Sequence, residues 1–404
     1  MGYRLIASGD RPTFTVLEFD PAHSALKLER NYPAPYNCSW LEKSPFRQQS
    51  DGAVDKLFAL SEGEEKGELF TFELDGKDIK ITSREPTLGA PAQSVQVLSD
   101  RSAVVLATYL GGSLALYPLS ANGTFSSDVK RTEITFDFVY SSHPGAHGPV
   151  PYRQRQCHAH QVLEHQKTGL FFSCDLGSDR VWIARRSQGN AQLEVIGSLQ
   201  LPPGSGPRHA VFSKDGDRAD TYVATGKLAY VICELSHQVH AFPLPSSSTE
   251  NVKDIQPLSA FSANIIPPNV PLEHQTLMDS SEIWLHPTIP NVIYASNRWQ
   301  LHIAERQPEL QNVDPPPKGD SMAIILLNET GDKVESVKHV ETGLDAIRGF
   351  KISPDGKYVA VAGQEGGGVE VYGIAGSRGD EWNLIARSGE KEGVEKGIKD
   401  VLWL

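Results

Sequence analysis

The stretch Ile347–Gly376, IRGFKISPDGKYVAVAGQEGGGVEVYGIAG, decides the fold. It opens on a short run that enters the turn Ser353-Pro354-Asp355-Gly356, where Asp-Gly supplies the positive φ of a tight hairpin. It returns as Lys357–Gln364, KYVAVAGQ, apolar on nearly every residue, as a strand buried on both faces must be. A glycine-rich turn follows, and then Gly368–Gly376, GVEVYGIAG, which alternates with period 2 and reads as a second strand. Strand, turn, buried strand, turn, alternating strand is the repeating unit.

Working outward, the alternating member recurs seven times: near Phe14 (FTVLEFD), Leu69 (LFTFELDG), Ser113 (SLALYPLSANG), Arg180 (RVWIARRSQGN), Gln238 (QVHAFPLP), Met322 (MAIILLNETGD) and Gly368. The apolar member recurs as KLFALSE, AVVLATY, LFFSCDLG, AYVICELS and VIYASNR, and SKDG (Ser213–Gly216) repeats the turn. Copies lie roughly 45 to 85 residues apart, against the ~40 to 50 of propeller repeats, so the excess is long loops. Two such loops are 141–156 and 262–280, rich in Pro, Gly and polar groups, and Asn312–Asp320 reads as an exposed tip. No amphipathic helix of more than about two turns is expected; Pro271–Ser281 and Glu390–Asp400 are the candidates for short ones. Seven such units without helices predict an all-β, seven-bladed β-propeller of four-stranded antiparallel blades, one domain over residues 1–404. The first strand, YRLIASGD, lacks an earlier partner and the last, KDVLWL, a later one, so their pairing closes the ring.

With 38 Lys+Arg against 50 Asp+Glu the formal net charge is −12, which argues against nucleic-acid binding. Mean hydropathy is −0.32, and no apolar run is long enough to span a membrane. The start, MGYRLIASGDRPTF, does not read as a signal peptide, and Cys38, Cys157, Cys174 and Cys233 form no CxxC pair. A cytoplasmic monomer without structural metal or cofactor is the expectation.

Three groups of residues are chemically suggestive. The densest is Cys157-His158-Ala159-His160, after Arg153-Gln154. No further ligand motif accompanies the two histidines, so acid–base work, anion binding or a structural pair outranks a zinc site. Arginines form the second group: Arg208 in Pro-Arg-His with His209, Arg298 in Ser-Asn-Arg, and Arg348 in Ile-Arg-Gly. Placed at strand ends around one channel mouth, they would hold a carboxylate or phosphate through their planar forks; each could equally tie neighbouring blades together. Carboxylates beside buried strands make the third: Glu62, Glu234 and Glu365. Any of them could orient a histidine or take a proton, and a surface or arginine-paired role is as reasonable. No Gly-x-Ser-x-Gly elbow, Walker loop, Rossmann fingerprint or His-Glu-x-x-His run is present.

The ordered set LATYLGGSLALYPL (Leu106–Leu119), GPVPYRQRQCHAHQV (Gly148–Val162), CDLGSDRVW (Cys174–Trp182), GPRHAVFSKDG (Gly206–Gly216), ICELSHQVHAF (Ile232–Phe242), YASNR (Tyr294–Arg298) and Ile347–Tyr372 resembles the seven-bladed propeller lactonase family. That family includes 6-phosphogluconolactonases and the fungal 3-carboxy-cis,cis-muconate lactonising enzymes. The resemblance implies a metal-free site at the channel mouth, with His160 as acid–base group beside Arg208, Glu234 and Arg298, and with His158, Arg153, His209, Arg348 and Glu365 as substrate-binding candidates. The substrate it implies is a small anionic lactone or carboxylate. Two departures stand out: His165-Gln166 replaces the usual Asp-Pro, and DRADTYVATG (217–226) looks inserted between Arg208 and Glu234. Hydrolysis of a sugar lactone is the favoured reading. Muconate cyclisation calls on the same groups, and a propeller that only binds is the third alternative.

Overall fold

The apolar and the alternating runs fold as the second and third strands of seven sheets. In a computed structural model, residues 2–46, 55–63, 67–75, 78–87, 92–187, 192–214, 226–247, 252, 254–306 and 317–404 are described. Each sheet has four antiparallel strands, and the seven stand around a central channel. Most of the tip at Asn312–Asp320 and most of the 217–226 segment lie outside the described residues.

The innermost strands are none of the apolar runs. They are Cys38–Lys43, Ala92–Val97, Ala159–His165, Pro207–Phe212, Asp279–Leu285, Asp345–Ile352 and Ile398–Trp403, and they carry more polar residues than the apolar runs because one face looks into the channel. Arg208 and Arg348 therefore sit on innermost strands, whereas Arg298 ends the second strand Val292–Arg298. The ring closes as the unpaired ends require: Ile398–Trp403 pairs with Tyr3–Gly9, Leu5 opposite Trp403 and Ala7 opposite Val401.

The hydrophobic core is divided into layers between blades. One layer joins Leu5, Leu17 and Phe19 of the first blade to Ala360, Val371 and Ala386 of the last. Another packs Phe172, Ile183 and Leu199 against Phe212, Val231 and Phe242. Each buried Val, Leu, Ile or Phe among them contributes about 1.5–3 kcal/mol by leaving water, which holds neighbouring sheets together. Helix is scarce. Of Pro271–Ser281 only Leu272–Gln275 is helical before a strand begins, and of Glu390–Asp400 only a 3-10 turn at Glu390–Glu392. A seven-residue helix at Gln300–Arg306 was not expected from the sequence.

Candidate active site

Every innermost strand begins at the same end of the channel, and near that end each breaks register with its neighbour. The shift skips Ser39 in Cys38–Lys43, Gln93 in Ala92–Val97, His160 in Ala159–His165 and Arg208 in Pro207–Phe212. It skips Ser281 and Glu282 in Asp279–Leu285, Ala346 and Arg348 in Asp345–Ile352, and Lys399 in Ile398–Trp403. A bulge of this kind bends the strand and re-aims a side chain. Seven of them bring polar side chains from seven blades toward one mouth. Local turns assist: Gly206, with a φ of 62°, donates its N–H to Asp179 Oδ1 at 2.7 Å and sets the entry of Pro207-Arg208.

A cavity of about 200 Å³ lies there, lined by Arg153, Arg208, Arg298 and Arg348, by Glu62 and Glu234, and by Gln93, Tyr109 and His160. Glu234 is its electrostatic pivot. It pairs with Arg153, with Arg208 Nε at 2.9 Å and with Arg298 Nη2 at 3.3 Å. Burial opposes its charge, yet Arg298, Arg153 and Arg208 hold its carboxyl well below the usual carboxylate range. Arg153 also reaches Asp279 Oδ1 at 3.2 Å, and burial and the Glu234 charge push the Asp279 carboxyl up while the arginines oppose that rise. Opposite, Arg348 donates to Glu62 Oε1 at 2.9 Å and Gln93 Oε1 at 2.8 Å, and Lys399 backs Glu62 at 3.2 Å. Four arginines thus face two carboxylates in the lining, and behind them Asp279 and Lys399 offset each other. Burial and the neighbouring Arg298 bring Arg208 down to about 9, which leaves it charged at neutral pH. In a chain of net charge −12, this excess of positive charge is a local funnel for an anion.

His160 is buried in this setting, and its pKa lies well below the ordinary value because of burial and then the nearby Arg208, His209, Arg348 and Arg298 charges. Its Nδ1 is 3.0 Å from His209 Nε2, and His209 Nδ1 is 2.7 Å from Glu282 Oε1. Tyr109 stands edge-on to His160 with ring centroids 5.8 Å apart, and stacks on His158 at 4.3 Å. His158 is otherwise anchored, its backbone N–H on Asp175 Oδ1 at 2.6 Å and its Nδ1 3.1 Å from the Tyr109 carbonyl oxygen.

The structure therefore gathers His160, Arg208, Glu234, Arg298, Arg153 and Arg348 around one space, with His209 behind His160 and His158 beside Tyr109. Glu62, noted in the sequence as a carboxylate of open role, is the partner of Arg348. Glu365 does not join them: it is exposed, and among the described residues its side chain bonds only Gln364, at 3.3 Å, because the Gly-rich turn 366–368 carries it out to solvent. The segment 217–226 does not separate Arg208 from Glu234. Pro207 is opposite Cys233, so the strand ends that carry Arg208 and Glu234 are neighbours. His165 is also at the far end, on Thr168 Oγ1 at 2.8 Å and the Gly226 carbonyl at 3.0 Å. Sequence reasoning missed Glu282, Tyr109, Gln93, Asp279 and Lys399. A mid-strand Glu in DSSEIWL (Asp279–Leu285), otherwise closing on an apolar end, was the available signal for Glu282.

A closed propeller with a cationic cavity at one channel mouth and a buried imidazole in its wall has the charge and geometry to hold a small anion. Residues 7–386 match the family model described as lactonase, 7-bladed beta-propeller, and the chain belongs to that family. It is 23% identical over 362 residues to the 6-phosphogluconolactonase of Formosa agariphila, covering 88% of this chain and 87% of that one. Among solved structures it is similar to the periplasmic gluconolactonase of Pseudomonas aeruginosa, with a TM-score of 0.74, 20% identity and coverage of 100% and 99%. It is also similar to a protein from Lactobacillus plantarum, with a TM-score of 0.76, 19% identity and full coverage of both chains. At these identities the two structures speak for the fold alone.

Proposed function

We propose that the protein hydrolyses a small anionic sugar lactone such as 6-phosphogluconolactone, with His160 as acid–base group and the arginines as anion holders. The observation that carries this reading is the placement of a neutral, buried imidazole in the wall of a cavity lined by four arginines. Arg153 with Arg298, or Arg348 across from them, would hold the substrate's phosphate or carboxylate. His160 takes a proton from water as the oxygen attacks the lactone carbonyl, and Arg208 faces the charge that develops on that carbonyl oxygen. Collapse of the tetrahedral intermediate breaks the ring C–O bond, and the departing oxygen takes the proton back from His160. Water and lactone become hydroxy acid, and neither metal nor cofactor is needed for these steps. The bound anion also offsets the arginine charges that hold the His160 pKa down, so the imidazole becomes a better base when substrate is present. Four buried, unpaired cysteines accord with the cytoplasm, and a ring closed by its own termini accords with a monomer.

The test is turnover by the purified protein of freshly made 6-phosphoglucono-δ-lactone and of 3-carboxy-cis,cis-muconate, each beside a His160→Ala variant and the uncatalysed rate. Lactone hydrolysis lost in the variant supports the proposal. Turnover of the muconate alone would replace it with the cyclase reading, in which the arginines hold two carboxylates. Silence on both would count against these two substrates and leave another lactone or a binding scaffold.

A further inference from the structure

Behind His160 lies a chain of buried groups that the steps above do not use. His160, His209 and Glu282 come from three adjacent innermost strands and are exposed by 6%, 1% and 3%. The distances of 3.0 Å and 2.7 Å along the chain are those of hydrogen bonds. Donors and acceptors follow by elimination. Glu282 is held as a carboxylate by His209 against the effect of burial, so it only accepts, and His209 must carry its proton on Nδ1. Burial brings His209 down to about 4, so its Nε2 keeps a lone pair. Two groups approach that lone pair, Arg208 Nη1 at 3.5 Å and His160 Nδ1 at 3.0 Å, and at the shorter distance two facing lone pairs would repel, so His160 donates from Nδ1. Its other nitrogen, Nε2, has no hydrogen-bond partner among the described residues, and the side chain lines the cavity. Trp40 meets the His209 ring edge-on with centroids 5.6 Å apart, and Ser296 Oγ accepts from the Glu282 backbone N–H at 3.0 Å, so the chain is rigid.

We infer that Glu282 and His209 are positioning residues that fix His160 as its Nδ1–H tautomer, with the Nε2 lone pair presented to the substrate. The geometry stands alone; its catalytic consequence rests on the lactonase reading. When Nε2 of His160 takes the proton, its Nδ1–H remains bonded to His209, and the Glu282 charge at the end of the chain stabilises the imidazolium without moving a proton itself. This offsets part of the repulsion from Arg208, Arg298 and Arg348.

The experiment uses full-length protein labelled with 15N-histidine, with the His160 ring nitrogens assigned by their loss in His160→Ala. The expected spectrum shows a protonated Nδ1 and an unprotonated Nε2, turning to a mixture in Glu282→Gln. Where the lactone is turned over, Glu282→Gln lowers kcat by about tenfold to a hundredfold with KM little changed. His209→Gln, whose amide falls near the former Nε2 and can accept from His160, retains more kcat than His209→Asn, whose amide falls near Nδ1. A protonated Nε2 in the parent protein, an unchanged spectrum in Glu282→Gln, or His209→Asn matching His209→Gln would overturn the inference. Failure to turn over any lactone would count against the lactonase reading, while the spectrum still decides the tautomer.

Discussion

The two ends of the channel are built from the same seven strands and have opposite chemistry. At the mouth, the first residues of each innermost strand bulge and contribute polar or charged side chains. At the far end, the later residues of the same strands contribute Leu163, Phe212, Trp284, Ile352 and Trp403 to a cavity of about 280 Å³, which Trp40 at mid-strand separates from His209. The far cavity is the larger, but its single buried ammonium, Lys351, is held by ring faces, 3.6 Å from the Trp284 centroid and 4.9 Å from that of Trp40. Its charge also acts on Glu42 and Asp400, whereas the mouth cations meet carboxylates in direct ion pairs and hydrogen bonds. A site for an anion therefore depends on the bulges more than on the size of the opening: they break the alternation that would otherwise hide half of these side chains in the blade.

The sharpest way to break this comparison is to truncate one residue at each end. His160→Ala at the mouth is expected to reduce lactone turnover by about 10²–10⁴-fold, the usual worth of a positioned acid–base group, with little change in stability. Trp403→Ala at the far end removes a ring packed against Tyr3 and Phe19 and a bond from its Nε1 to the Lys351 carbonyl at 2.8 Å. It is expected to cost about 3 kcal/mol in urea unfolding while the folded fraction retains its activity. Equal kinetic damage from both would mean that the ends do not divide function from packing.

Next in size is Glu234→Gln. It leaves Arg153, Arg208 and Arg298 crowded without their shared counter-charge, and is expected to destabilise by about 3 kcal/mol at neutral pH. The sign with pH is fixed by the depressed carboxyl. Glu234 contributes stability above the unfolded pKa of about 4.3, and that contribution is lost as the pH falls toward its lower folded value. The gap between parent and variant should therefore narrow below about pH 4 in unfolding curves. A gap that is constant with pH would show that Glu234 acts through packing, and the mouth would then resemble the far end.

What was legible in the sequence divides along the same line. The second and third strands of each blade are buried by regular alternation or continuous apolar runs, so KYVAVAGQ and GVEVYGIAG could be read directly, and unpaired ends such as KDVLWL announced ring closure. The innermost strands could not be read this way. CSWLEK (Cys38–Lys43) and AQSVQV carry polar residues toward the channel and a bulge that breaks period 2. Arg208 and His160 emerged because they stood in dense clusters of Arg and His, and their roles came from the family resemblance. Glu282 and Gln93 stood alone within their strands and gave no such signal, since their importance comes from neighbours more than 70 residues away, as with His209. Glu365 erred in the opposite direction, because proximity to a buried strand does not fix on which side of a glycine turn a side chain emerges.

The smallest expected effect tests whether the two ends are electrostatically separate. Lys351 keeps down the pKa of Glu42, which burial raises to about 7, and of Asp400, which burial raises to about 6. In Lys351→Met these carboxyls take up protons at higher pH, neutralising the charge that the lysine had balanced. Stability at neutral pH should therefore change by less than about 1 kcal/mol, the worth of a cation over a ring. Lactone turnover should stay within about twofold, because the ring faces around Lys351 belong to the far cavity. The path by which this could fail is specific: the Lys351 charge also reaches Glu282 and His209 behind the catalytic histidine. A tenfold loss of kcat in Lys351→Met, with the fold intact by circular dichroism, would show that the far cation tunes the mouth through that carboxylate. The channel would then be one electrostatic unit, and its apolar end part of the site.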